Sequence, residues 1–261
     1  MSRLSVIILN FNNKEDINYC LKSLIKAYLK INIIVVDNAS TDNSIQSIIS
    51  LRYEKLMIIK NKRNLGFARG MNRGIRFALK QGAESVLLLN PDTLVGKGFL
   101  EPLLTNKADV VGPIIKFKRK GQWVYDFGGK INFWLGRTSH YEYLASNVKN
   151  LKSPDYISGC CLLIRKKVFE KIGFLNERYF LFFEDCDFCL RAKKAGLKVS
   201  LEPKSMILHK LSEGKDKSWR YFYYLLRSNL IFINNWIPFY RRPIAYLYLC
   251  LLALKMLLNR L

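Results

Sequence analysis

The sequence predicts an α/β fold with a mostly parallel central sheet flanked by helices. Three observations predict it. Short runs of Ile, Val and Leu alternate with segments of helical period through the first ninety residues, the pattern of a sheet covered on both faces. Each run ends on polar residues, at Asn10, Asp37, Asn61–Asn64 and Asn90–Asp92, and in such sheets ligands collect beyond the carboxyl ends of the strands. The chain has 261 residues, 50% hydrophobic and 13% aromatic, enough for a full core and incompatible with disorder.

In order, Ser5–Asn10 reads as a strand, and Glu15–Leu29 as a helix with Ile17, Cys20, Leu21, Leu24 and Ile25 on one face. Asn32–Asp37 is a second strand. Asp42–Leu51 is a short helix with Asp42 as its N-cap. Lys55–Lys60 is a third strand, Gly66–Gln81 a helix, and Ser85–Leu89 a fourth strand ending in Asn90-Pro91-Asp92. Lys116–Asn150 lacks helical period and reads as a β-hairpin or a long excursion over the site. Asp155–Arg165 returns to a strand-like run, Glu184–Gly196 is a helix capped by Gly196, and Lys198–Leu201 and Ser205–Leu208 are two short strands.

After Ser218 the chain is nearly all apolar and aromatic, and Ile244–Leu254 carries no charge. Eleven uncharged residues fall short of the roughly 20 a membrane span needs. Arg241, Arg242, Lys255 and Arg260 suit anionic headgroups, and Tyr246 and Tyr248 suit the interface. The expectation is a domain over 1–214 and a helical, membrane-associating segment over 215–261. A true span, or a helix packed on the domain or on a dimer partner, are the alternatives.

Lys and Arg number 43 against 20 Asp and Glu, a formal charge of +23. Such an excess implies an anionic partner: nucleic acid, an anionic membrane surface or phosphorylated substrates. The six cysteines read as reduced thiols of a cytosolic protein, because Cys186 and Cys189 have no second Cys or His pair near them in sequence to complete a zinc site. Arg3 leads directly into a buried-strand run, so no signal peptide is expected.

The densest chemistry lies in Phe182-Phe183-Glu184-Asp185-Cys186-Asp187-Phe188. Carboxylates crowded between apolar rings repel one another and lose hydration, which raises at least one pKa and makes a general base or a cation site. Acids favouring a helix N-terminus would give the same pattern without function. Asp92, at the tip of an apolar strand, can hold a divalent cation bridging a diphosphate, and Asn90-Pro91-Asp92 can also be a plain turn. Asp37 suits a base or sugar contact. Gly66, Gly70 and Gly74 open a helix at four-residue spacing and let backbone approach a ligand or a strand, without the dinucleotide fingerprint. Arg69 and Arg73 share a helix face that either meets phosphate or is solvated. Of the two histidines, His209 follows a strand and could join Asp92 on a metal.

Taken in order, Ser5–Asn12, Ile33–Asp42, Asn64–Gly74, Val86–Thr93, Tyr156–Phe174 and Phe182–His209 resemble an inverting family 2 glycosyltransferase with the GT-A fold, in its rhamnosyltransferase-like branch. The resemblance covers most of residues 3–212. It implies a nucleotide-sugar donor (dTDP- or UDP-sugar), a divalent metal (Mg²⁺ or Mn²⁺) and a single displacement at the anomeric carbon. Asp185 would be the catalytic base, with Glu184 shaping its surroundings or touching the acceptor, and Asp187 structural, pairing with Arg191. Asp92 and His209 would hold the metal. Asn10, Asn12, Asp37, Asn64, Gly66, Asn72 and Asn90 would line the donor site. Asn90 stands where many relatives have the first acid of a D-x-D pair, and Met71 where many have an arginine. The implied setting is cytoplasmic, peripheral on the inner face of the cell membrane, building surface polysaccharide on a lipid-linked saccharide acceptor, with the anionic membrane surface rather than nucleic acid as the basic chain's partner. A nucleotidyltransferase of similar fold, or a non-catalytic basic protein binding membrane or nucleic acid, are the competing classes. The first would carry a glycine-rich loop after the first strand, where this chain has Asn10-Phe11-Asn12-Asn13-Lys14.

Overall fold

The structure, a computed structural model, describes residues 3–144, 153–210 and 218–258. The expected boundary at 214/215, the Ser212–Gly214 stretch, the end of the 116–150 excursion and the terminal Asn259 and Arg260 lie outside those residues. One ten-stranded sheet organises the chain. Its first half is β1 (Leu4–Asn10), β2 (Asn32–Asp37), β3 (Leu56–Lys60) and β4 (Ser85–Leu89), all parallel, in the order β3-β2-β1-β4. Helices α1 (Lys14–Ala27), α2 (Ser44–Ile49) and α3 (Phe67–Lys80) make the crossovers.

Alternation within these strands feeds two cores. Ile7, Leu9, Ile34, Val36, Val86 and Leu88 face one core with α3. Val6, Ile8, Ile33, Val35, Leu87 and Leu89 face the other with α1 and α2. Burial on both faces is why these strands read as unbroken apolar runs. Gly70 and Gly74 serve the neighbouring strands: a Cβ on Gly70 would sit 2.5 Å from Leu9, and one on Gly74 2.5 Å from Ile7. α3 therefore lies closer to the sheet than any side chain there would allow.

The second half of the sheet is mixed rather than parallel. β9 (Cys161–Arg165) runs antiparallel to β4 and to β6 (Val110–Arg119), and β10 (Val199–His209) runs parallel to β6 and antiparallel to β5 (Thr93–Val95). Parallel pairing is thus unbroken through β1–β4, and beyond them, among the described residues, it recurs only between β6 and β10 among antiparallel pairs. β10 is one strand where the sequence reads as two, because Pro203 sits at a register shift between Glu202 and Met206 instead of ending the strand. The 116–150 excursion is a meander. β6 turns at Lys120-Gly121, both at positive φ, into β7 (Gln122–Asn132), which pairs with β8 (Arg137–Leu144). Helices α4 (Leu100–Thr105), α5 (Lys166–Ile172) and α6 (Glu184–Lys194) complete the domain.

α7 (Trp219–Trp236) puts Ile231, Phe232 and Ile233 into the same core as α3 and α6, so this helix packs on the domain. α8 (Arg242–Leu258) buries only Ala245 and leaves Ile244, Leu247, Leu251, Leu254 and Leu258 exposed. Among the described residues no helix is long and apolar enough to cross a membrane.

Candidate active site

The carboxyl ends of β1, β2 and β4 and the loop before α6 build the site. At β1, Asn10 is fully buried. Its Nδ2 donates to Asp37 Oδ1 (3.1 Å), Ser40 Oγ (3.0 Å) and Ser44 Oγ (2.8 Å), while its Oδ1 is buried without a partner. Asp37, at the end of β2, is buried and also accepts from the Ser40 amide at 3.1 Å. Asn12, at φ +49°, accepts from the Thr41 amide at 2.7 Å and thereby ties the β1 loop to the loop after β2. Asp42 accepts from the backbone of Lys14 and Ser44 and links the starts of α1 and α2.

Asn38, next to Asp37, donates to Asn64 Oδ1 and to the Gly66 carbonyl, both at 3.1 Å, and accepts from Asn61 at 2.7 Å. Asn64 in turn accepts from the Gly66 amide at 2.9 Å. Gly66 is at φ +81°, and a Cβ there would meet the Phe180 carbonyl at 2.5 Å, so its freedom serves packing against the loop before α6. Sequence reading gave Asn38 no role and named Asn61 only as part of the polar stretch Asn61–Asn64 beyond β3. Their signal was a strand-end asparagine beside Asp37 and another after β3.

Asn72 lies away from this cluster. It is fully buried, donates to the Leu175 carbonyl (2.8 Å) and Glu177 (3.0 Å), and accepts from the Leu175 amide (3.0 Å). Its amide is engaged in holding the 175–177 loop. Arg69 and Arg76 pair with Glu177, and Arg73 donates to Asn61, so this basic face is held by protein groups.

At β4, the Asn90 amide donates to the Cys160 carbonyl at 2.8 Å, and Asn90 Oδ1 is buried and unpaired. Asp92 Oδ1 lies 3.1 Å from His209 Nε2 at the end of β10, which β5 brings alongside. The two atoms are not aligned as a hydrogen bond, and each is buried without one. Burial opposes charge on His209, but the neighbouring Cys160 sulfur and the Asp92 carboxylate outweigh it and raise its pKa to about 11. Among the described residues no group of three His, Cys, Asp or Glu side chains forms a metal cluster. Two ligand atoms side by side on an octahedral cation with bonds near 2.1 Å lie roughly 3 Å apart. The Asp92–His209 pair has that spacing and two orphaned donor atoms, so it fits a divalent cation.

Phe182 (φ +71°) and Phe183 (φ +68°) both adopt the left-handed conformation, which costs bulky residues energy and persists only where packing enforces it. The packing comes from α7: Phe183 meets Phe232 with ring centroids 5.1 Å apart, Phe182 meets Tyr221 at 4.9 Å, and Ser228 donates to the Leu181 carbonyl at 2.7 Å. The strained turn starts α6 and separates its acids. Glu184 is buried with Oε2 unpaired, and burial, reinforced by the Asp185 charge, raises its pKa well above the ordinary value. Asp185 is half-buried. Its Oδ2 accepts from the Gly159 amide at 2.9 Å and its Oδ1 from the Cys186 amide at 2.8 Å. Asp187 is buried, with Arg191 Nε at 2.8 Å and Trp236 Nε1 at 2.9 Å. Cys186 and Cys189, like the other four cysteines, are free thiols.

Two consecutive residues join the halves of the site. Gly159 holds Asp185, and Cys160 both accepts from Asn90 and borders His209.

The profile of the glycosyl transferase family 2 matches residues 5–173. A low-salt glycan biosynthesis hexosyltransferase, Agl10 of Haloferax volcanii, is 32% identical over 201 residues, covering 75% of this chain and 63% of its own length. An N-acetylglucosaminyl-diphospho-decaprenol L-rhamnosyltransferase of Mycobacterium tuberculosis is 27% identical over 213 residues, 71% of this chain and 69% of the relative. The chain thus spans about two thirds of the length of these relatives. Among solved structures, GalNAc-T7 with UDP, GalNAc and Mn²⁺ superposes with a TM-score of 0.69 at 15% identity, over 89% of this chain and 48% of that one, which shows a common GT-A fold. On the profile match and the fold together, the chain belongs to glycosyl transferase family 2.

Proposed function

We propose that the chain is a metal-dependent inverting glycosyltransferase that moves a sugar from a dTDP- or UDP-sugar onto a lipid-linked saccharide in surface polysaccharide synthesis. The observation that carries this reading is the Gly159–Cys160 link, which puts a half-exposed carboxylate and a metal-type Asp–His pair on either side of one peptide. The names of the relatives support the transfer and the lipid-linked acceptor, and the Mn²⁺ and UDP in GalNAc-T7 support the cofactor and donor class.

Asp185 takes the proton of an acceptor hydroxyl while that oxygen bonds to the anomeric carbon and the bond to the diphosphate breaks. One displacement inverts the centre. Backbone amides of Gly159 and Cys186 fix the orientation of Asp185. Burial raises the pKa of its neighbour Glu184 and so disfavours a second charge beside it. Asp92 and His209 would hold Mg²⁺ or Mn²⁺, which supplies charge neutralisation for the departing diphosphate. Asn10, Asn12, Asp37, Asn64, Gly66 and Asn90 shape the donor pocket, and Asn72 supports it through the 175–177 loop.

Peripheral attachment to the inner face of the membrane is supported by the exposed leucine stripe of α8, the adjoining Arg241 and Lys255, and the charge of +23. Asp185→Asn is expected to abolish transfer while thermal stabilisation by UDP or dTDP with Mn²⁺ survives. Near-normal turnover in that variant would remove Asp185 from the role of base. No stabilisation of the wild-type chain by UDP, dTDP or GDP, with or without Mn²⁺, would favour a non-catalytic basic protein.

A further inference from the structure

The second histidine has no part in the chemistry above, yet it sits at the centre of a buried polar chain. His140 on β8 places Nδ1 2.8 Å from Oδ2 of Asp126 on β7, an ion-pair distance without hydrogen-bond alignment. Asp126 is buried, and its other oxygen accepts from the Gly128 amide at 2.8 Å, so the carboxylate is fixed by its own strand. His140 Nε2 lies 3.1 Å from the hydroxyl of Tyr156, whose ring stands edge-on at 5.4 Å between centroids. Tyr156 is buried and wedged against Gly129, where a Cβ would lie 2.0 Å from the ring.

The backbone around this chain is equally committed. At the bulge of β7 the Gly129 amide donates to the Tyr156 carbonyl at 2.8 Å, and the Asp155 amide donates back to Gly129 at 2.7 Å. Asp155 also accepts from the Ile131 amide at 2.8 Å. Tyr156 is thus attached to the meander by backbone and side chain, and three residues later Gly159 holds Asp185.

We propose that Asp126, His140 and Tyr156 form a positioning relay, which ties the β7–β8 hairpin to the seat of Asp185. The proposal rests on Asp185 being the base. The relay makes the hairpin and the acceptor-side carboxylate one mechanical unit, so a saccharide lying against the hairpin is registered on the attacking side.

Asp126 on β7 and Tyr156 on the connecting segment contact His140, and the charges of Asp185 on α6 and of Glu142 on β8 (itself paired with Arg119) act on it electrostatically. Burial opposes its charge, but the carboxylates outweigh burial and raise its pKa above the usual 6.5. Its side chain is 32% exposed, so solvent reaches the ring.

Only two histidines exist, so imidazole NMR of the full chain resolves the question without any substrate. His140→Asn identifies the resonance. In Asp126→Asn the titration midpoint of His140 is expected to move to lower pH, and an unmoved or raised midpoint overturns the relay. Asp126→Ser carries the same test if Asp126→Asn does not fold. Tyr156→Phe keeps the wedged ring and removes the hydroxyl. Transfer should fall about tenfold with nucleotide affinity unchanged, and undiminished transfer overturns the relay. A turnover-competent Asp185→Asn would instead sink the base assignment, so the two failures are distinguishable.

Discussion

At the scale of residues, the three crowded acids have three different surroundings. Asp187 is paired with Arg191 and accepts from Trp236, Glu184 is buried, and Asp185 alone keeps partial access. Glu184 has a consequence for stability against pH. Its folded value stands above its ordinary 4.5, so the native state keeps a proton that the unfolded chain releases near that pH. The stability tied to that proton is full below about 4.5 and is lost as pH rises toward the folded value. Glu184→Gln should flatten this slope, measured by urea unfolding at pH 5 and pH 8. His209 gives a second pH effect. It is held protonated beside Asp92, so a metal must displace a proton, and Mn²⁺ affinity by calorimetry should rise between pH 6 and 8. His209→Ala should lose most of that binding.

At the scale of elements, legibility followed the apolar pattern. β2 and β4 were readable to the residue, because strands buried on both faces are uninterrupted runs of Ile, Val and Leu. α4 and α5, of six and seven residues, are too short to display a helical period. β10 was split at Pro203 because a bulge inside a strand carries no local signature. Within the site, Asp187 pairing with Arg191 was legible from i,i+4 spacing, whereas its bond to Trp236 crosses 49 residues and was not. The bonds of Asn72 to Leu175 and Glu177 cross more than 100 residues and cannot be read from neighbours in sequence. Two substitutions test these elements. Trp236→Phe removes a hydrogen bond to a buried charge and should destabilise by about 1.5–3 kcal/mol in denaturant titration. Gly74→Ala puts a methyl 2.5 Å from Ile7 and should cost roughly 1–3 kcal/mol, with α3 lifting off β1.

At the scale of the molecule, apolar exposure gathers on the C-terminal helices. Arg241 lies over the exposed Trp134 ring at 4.3 Å, next to Tyr240 and Phe239 and at the start of α8. This combination of a leucine stripe, aromatic rings and arginines is the composition of helices that lie in a membrane interface. Sedimentation with vesicles containing phosphatidylglycerol should recover the chain, and salt should weaken the association. Leu251→Glu with Leu254→Glu should leave it in the supernatant while nucleotide binding persists. Retention of vesicle binding by that double variant would move the contact off α8.

The Gly159–Cys160 peptide also acts as a ruler. Consecutive Cα atoms across a trans peptide stand about 3.8 Å apart, so the seat of Asp185 and the seat of the Asp92–His209 pair are set apart by one covalent step. No side-chain rotamer can stretch that step. On the proposed mechanism, a single residue inserted between them would lengthen it by one unit and throw nucleophile and leaving group out of line.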